Sequence, residues 1–156
     1  AAYLDTKQSE QTNLLKRVIE NQEKLQKWAQ HAPMNFLHKF YLVEAERYRV
    51  LGNNVEAIEN YDRAIALAQE NQYLNDEALA NELAGKFYLN WNKNKIAQVY
   101  FSEAQYCYAC WGCLAKVEDL KRYPQLITRS PVNSLSTTRA TSIVTSTSSN
   151  SAQIFD

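Results

Sequence analysis

Glycine and proline are scarce in this chain, with three of each in 156 residues. Sandwiches and barrels need both at their many corners, so the scarcity argues against a β architecture and suits long helices. Neither sign of charge is in excess, since Lys plus Arg number 17 and Asp plus Glu number 17. A balanced chain lacks the field that captures nucleic acid or an anionic membrane in bulk, and neither is expected as a partner. No apolar run approaches the ~20 residues that cross a bilayer. No charged region followed by an apolar segment marks a secretory signal. Cysteine is limited to Cys107, Cys110 and Cys113, an odd, tightly clustered set that makes no disulfide framework. A reducing, cytoplasmic setting follows. The sequence has no GxxxxGK[ST], GxGxxG or kinase-loop motif for a nucleotide phosphate. It also opens Ala1-Ala2-Tyr3-Leu4 without an initiator Met, and reads as a segment of a longer protein.

What is present is an internal repeat. Shifted by 40 residues, Ala45 falls on Gly85, Tyr48 on Tyr88, Leu51 on Trp91 and Gly52 on Asn92. In the same register Ala57 meets Ala97, Tyr61 meets Phe101, Ala64 meets Ala104 and Ala68 meets Tyr108. A period of this size is the signature of a stacked helical array.

The helical pattern is continuous. Residues 8–30 form a first helix whose stripe is Leu14, Leu15, Val18, Ile19, Leu25 and Trp28, stopped before Pro33. A second runs from Asn35 to Leu51 with Phe40, Tyr41, Ala45 and Tyr48 inward, and Gly52 suits its left-handed close. Asn53 or Asn54 can cap the third, whose stripe is Ala57, Ile58, Tyr61, Ala64, Ile65 and Ala68. Asn75 is a candidate cap for the fourth, with Leu79, Leu83, Ala84, Phe87, Tyr88 and Trp91 inward. Ile96, Ala97, Tyr100, Phe101, Ala104 and Tyr108 mark the fifth, and Leu114, Val117 and Leu120 a short last helix ended by Pro124. Fourteen of the 29 residues from Thr128 to Asp156 are Ser or Thr. Such a segment buries too little to offset its conformational entropy. The expected division is therefore a helical segment over 1–127 and a disordered linker over 128–156.

Small residues at helix crossings let backbones approach closely, and one large aromatic per helix fills the space between. In this the chain resembles the tetratricopeptide repeat. The resemblance implies an all-α fold of antiparallel helical hairpins stacked as a short solenoid. The common unit is about 34 residues, and the extra length is expected around Asn71 to Asp76. In tetratricopeptide proteins the first helix of each pair lines a groove for partner peptides. Transposed here, that groove would expose Lys39, Leu42, Glu46 and Arg49, then Leu79, Glu82, Lys86 and Leu89. The same face could equally pack on a neighbouring domain of the parent protein.

The candidate chemistry is thin. Cys107-x-x-Cys110-x-x-Cys113 lacks the further ligand that zinc and iron–sulfur centres need, and His31 and His38 lie about 70 residues upstream. Both histidines read as ordinary helix-end residues, and the cysteines as part of a helix face. No catalytic residue, cofactor or metal site is expected.

The segments HAPMNFLHKFYLVEAERYRVLG (31–52), EAIENYDRAIALAQEN (56–71), NDEALANELAGKFYLNW (75–91), KIAQVYFSEAQYCYACWG (95–112) and AKVEDLKRYPQL (115–126) carry a further likeness. They resemble the helical segment of very large signalling proteins, common in cyanobacteria. Those proteins join a Ser/Thr protein kinase, an AAA-like ATPase, a GAF sensor and a histidine kinase. The resemblance implies a non-catalytic connector between ATPase and GAF parts, with neighbouring domains or a partner peptide as its contacts. The alternative, second to it, is a stand-alone tetratricopeptide-like peptide-binding adaptor. A small metal or redox protein built on the three cysteines is a third class, dismissed if a colourless, metal-free preparation stays folded.

Overall fold

The computed structural model describes residues 2–123, with side chains from residue 9 onward. These residues form six α-helices and no strand. They are α1 (Ala2–His31), α2 (Pro33–Leu51), α3 (Asn54–Glu70), α4 (Leu74–Asn90), α5 (Asn94–Trp111) and α6 (Leu114–Leu120). The all-α expectation holds over this span. The boundary at 127/128, the stop at Pro124 and the linker over 128–156 lie outside the described residues.

Helix ends follow local chemistry. Ala32 leaves the α region at φ −140°, ψ 71°, as the residue before a proline must, and Pro33 takes the first position of α2, where its missing N–H costs nothing. Helices α3 to α6 then start at Asn54, Leu74, Asn94 and Leu114, each 20 residues after the last. Before each start stands a residue with positive φ: Gly52 (80°), Gln72 (61°), Asn92 (59°) and Gly112 (85°). One bonding pattern closes the four helices that precede them, α2 to α5. The N–H of Asn53, Tyr73, Lys93 and Cys113 donates to the carbonyl of Tyr48, Ala68, Tyr88 and Tyr108 at 2.8–3.0 Å. The N–H of the positive-φ residue itself donates three residues back. This is the Schellman closure, which satisfies the last carbonyls of a helix with backbone alone.

Two expectations about these junctions need correction. Asn53 occupies its cap position without a side-chain bond, and Tyr73 stands where Asn75 was expected. Asn75 falls inside α4, with Nδ2 donating to Asp76 Oδ1 at 3.0 Å. Nor does the extra length sit in the 71–76 loop. From α2 onward the turns hold two or three residues, and the length is spread over helices of 17–19 residues.

Each helix packs on the one before it, most extensively α3 on α2 and α5 on α4. The core between them holds Ala45, Ala57, Tyr61, Ala84, Phe87, Tyr88, Ala97, Phe101, Ala104 and Tyr108, closed at one end by Leu120. Gly85 is required in place of a larger residue. A Cβ there would stand 2.9–3.1 Å from the ring carbons of Phe101. Phe101 in turn stacks on Tyr123 at 4.5 Å. The expected stripe of α1 is not a buried face. Leu14, Ile19 and Trp28 are exposed, and from residue 9 onward the buried α1 residues are Gln22 and Ala29. The cause is that α1 packs chiefly on α2, so one neighbour covers a narrow line of it. Gln22 Nε2 anchors that line, donating to the Phe40 carbonyl and to Glu44 Oε1 at 2.9 Å each.

Candidate functional site

The sequence places Lys39, Leu42, Glu46 and Arg49 at spacings of three, four and three, which is one stripe of α2. Leu79, Glu82, Lys86 and Leu89 repeat that spacing on α4. Helices α2 and α4 touch, though lightly. Two hydrogen bonds join them at their N-terminal ends. Tyr73 OH donates to Asn35 Oδ1 at 2.6 Å, and His38 Nε2 lies 2.8 Å from Asp76 Oδ2.

His38 is therefore no ordinary helix-end residue. It is buried, stacks on Tyr73 at 4.6 Å, and ties α2 to α4 through Asp76. Nothing local in the sequence foretells this, since its partner lies 38 residues away. Lys39, half-exposed, adds a looser contact to the same carboxylate at 3.7 Å. His31 is exposed, beside Trp28 and Phe36 in a shallow apolar depression.

Further along α2, Leu42 is half-buried against the core. Glu46 pairs with Arg49 at 2.7 Å and accepts a short hydrogen bond from Tyr61 OH. Burial first, and then this bond to a carboxylate, push the Tyr61 hydroxyl well above the ordinary tyrosine range. Arg49 also borders a cleft of about 260 Å³ lined by Asn54, Phe87, Asn90 and Trp91, smaller than the ~300–1,000 Å³ of small-molecule sites.

On α4 the expected exposure fails at one position. Glu82 is 1% exposed. Lys86 Nζ lies 2.6 Å from Oε1, Lys116 Nζ 2.9 Å from Oε2, and Tyr108 OH donates to Oε2 at 2.7 Å. One carboxylate thus joins α4, α5 and α6. Burial alone would raise the Glu82 carboxyl, but the bonds from Lys86, Lys116 and Tyr108 outweigh it and hold it below the usual range. Leu79 stays exposed, and Leu89 packs partly on the core. The transposed surface is therefore Lys39, Glu46, Arg49, Leu79 and Lys86 around a buried ionic knot, with Leu42 and Leu89 half-covered.

The cysteines occupy three different environments. Cys107 is buried, Cys110 exposed and Cys113 intermediate. Burial, then the nearby Glu77, pushes the Cys107 thiol up to about 12, the reverse of a reactive thiolate. Among the described residues no group of His, Cys, Asp or Glu is placed to hold a metal ion. No helix among them is long and apolar enough to cross a membrane.

An all-α chain with a charged helical face and linked helix pairs is what the geometry defines. A hybrid signal transduction histidine kinase G from Dictyostelium discoideum is 35% identical to it over 112 residues. That match takes in 71% of this chain and 3% of the kinase, so the chain spans a small fraction of its relative's length. The organism is not a cyanobacterium, the group in which the sequence resemblance is common. No protein-family model matches the sequence, and no solved structure matches it.

Proposed function

We propose that this chain is a non-catalytic helical connector and interaction segment of a multidomain signal-transduction kinase, lying between its ATPase and GAF sensor parts. The observation that carries the reading is the 35% identity to a stretch amounting to 3% of a hybrid histidine kinase. In this reading α2–α3 and α4–α5 are two antiparallel hairpins of a short tetratricopeptide-like solenoid, and α6 begins a third. The 20-residue recurrence of helix starts and Schellman closures supports it. The α2–α4 face, with Lys39, Leu42, Glu46, Arg49, Leu79, Lys86 and Leu89, then meets a neighbouring domain or a partner peptide in the cytoplasm. Glu82 acts from beneath by fixing Lys86 and Lys116.

The test is the coding DNA on either side of these 156 codons. An open frame running into ATPase motifs upstream and GAF and histidine-kinase motifs downstream is expected. Stop codons close on both sides would overturn the connector and leave the stand-alone peptide-binding adaptor.

A further inference from the structure

Helices α3 and α5 begin 40 residues apart and present the same outward stripe, yet its chemistry is reversed. On α3 the stripe is Glu56, Glu59, Arg63, Ala66 and Glu70, all exposed. On α5 the matching positions are Ile96, Val99, Glu103, Tyr106 and Cys110, also exposed. Val99 is 61% and Tyr106 66% exposed. Three glutamates have become Ile, Val and Cys, and an alanine has become Tyr. Turn geometry cannot explain this, because both helices close by the same bonds.

The spacing of the α5 stripe is three, four, three and four residues. That is the alternation of a coiled-coil seam, which a second α-helix fills by inserting its own side chains. Polarity says which helix. Glu103 is the middle residue of the stripe, and Glu77, half-buried on α4, adds a second carboxylate close enough to raise its own carboxyl, after burial, through repulsion from Glu103. Among the described residues no Lys or Arg forms an ion pair with Glu103. A second copy of this chain fits poorly. A parallel two-fold pairing, and an antiparallel one in which the two stripes overlap fully, set Glu103 against Glu103, and like charges directly opposed across an interface are strongly disfavoured.

The geometry points to the outer face of α5 as a docking seam for an amphipathic partner helix that carries a Lys or Arg at the centre of its own apolar stripe. Tyr106 is its anchor, a large, stiff side chain with a polar tip of the kind enriched at interface centres. Glu103 selects the partner by charge. This face is separate from the α2–α4 surface, so the inference does not rest on the connector reading.

Two synthetic helical peptides of about three heptads test it, alike in apolar seam residues and differing only in a central Lys or Glu. Each is titrated against the full 156-residue chain by fluorescence anisotropy. The Lys peptide should bind in the roughly micromolar range that suits a small, transient contact, and the Glu peptide at least about tenfold more weakly. Glu103→Lys should reverse that preference. Tyr106→Glu should weaken the Lys peptide at least about tenfold, with an unchanged melting curve because the side chain is already in solvent. Equal affinity for both peptides, no binding of either, or a failure of Glu103→Lys to reverse the order would overturn the inference. So would a chain that dimerises in sedimentation velocity and becomes monomeric with Val99→Glu.

Discussion

The α2–α3 and α4–α5 pairs share a backbone and differ in where they keep their buried polar groups. In the first pair Tyr61 reaches out of the core to Glu46. Forty residues on, Phe101 and Lys86 stand in those places, so the hydroxyl and its acceptor have left together. The second pair instead carries Glu82 and Tyr108, bonded at 2.7 Å, where the first has Leu42 and Ala68. Each polar group appears only with its partner. A buried donor or acceptor left single costs its full desolvation, whereas an apolar pair of similar shape can be nearly neutral. The two units teach that a repeat can move its polar links freely, provided both ends of a link move together.

The severest way to break this arrangement is to put a charge at the centre of the first pair. Tyr61 is fully buried, and Asp in its place would sit in the apolar core beside the Phe87 ring, whose centroid lies 5.6 Å from that of the tyrosine it replaces. A carboxylate there cannot be solvated, and the loss should exceed about 4 kcal/mol. For a domain of marginal stability that is unfolding. Far-UV circular dichroism on heating should show no cooperative transition, and a curve matching the parent's would remove the basis for treating Tyr61 as a core residue.

The second pair breaks more gently and with a pH signature. Glu82→Gln keeps the shape but gives up the charge between Lys86 and Lys116. Both ammoniums are partly exposed, so water recovers some of what they lose, and the cost should be about 2 kcal/mol at pH 7. Glu82 has a folded-state carboxyl below its ordinary value of 4.5. Its contribution is therefore complete above about pH 4.5 and disappears as pH falls through the lower folded-state value. Glu44 has the same sense, its burial outweighed by bonds from Arg47 and Gln22. Glu77 has the opposite one, because burial raises it, so its contribution fades as pH rises through its raised value. Only the difference between parent and Glu82→Gln isolates Glu82. In urea melts that difference should hold from pH 7 down to about pH 4.5 and shrink only below it, and a difference that stays constant through the acid range would mean that the carboxylate charge contributes nothing.

Much of the fold was legible because it rests on local pattern. Alanines at 45, 57, 64, 84, 97 and 104 and aromatics at 61, 88 and 101 all read as buried from helical spacing alone, and all are. The failures are also physical. Glu82 reads as exposed because it falls on the transposed groove, yet its equivalent Leu42 is half-buried in the first pair, and that apolar residue is the available sign. His38 looked unremarkable because the Asp76 it bonds lies on another helix. The α1 stripe looked like a core face because periodicity reports amphipathicity and says nothing about whether a neighbour is present. Asn75 reads as a cap because its residue type suits one, but α4 starts one residue before it, after Tyr73, with no side-chain cap bond. Of the candidate site, spacing gave the stripe, and it could not give the ionic knot beneath it.

The smallest effect comes from the junctions, where the two pairs are nearly indistinguishable. Of the four positive-φ positions, two hold Gly, one holds Asn, which tolerates that conformation, and one holds Gln72 at φ 61°. A side chain with a Cβ in the left-handed region carries a steric cost of roughly 1–2 kcal/mol. Glycine removes it, while adding back some of its own greater freedom in the unfolded chain. The exposed Gln72 side chain holds no hydrogen bond that would be lost, since its backbone N–H to Gln69 survives the change. Gln72→Gly should therefore stabilise by somewhat under about 1 kcal/mol, a rise of a few degrees in melting temperature. Gly52→Ala, at φ 80° with open space around a new Cβ, should do the reverse by a similar amount. Because no atom crowds that position, its loss would come from backbone conformation alone. Finding Gln72→Gly neutral and Gly52→Ala harmful would show that the two left-handed turns, alike in bonding, differ in strain.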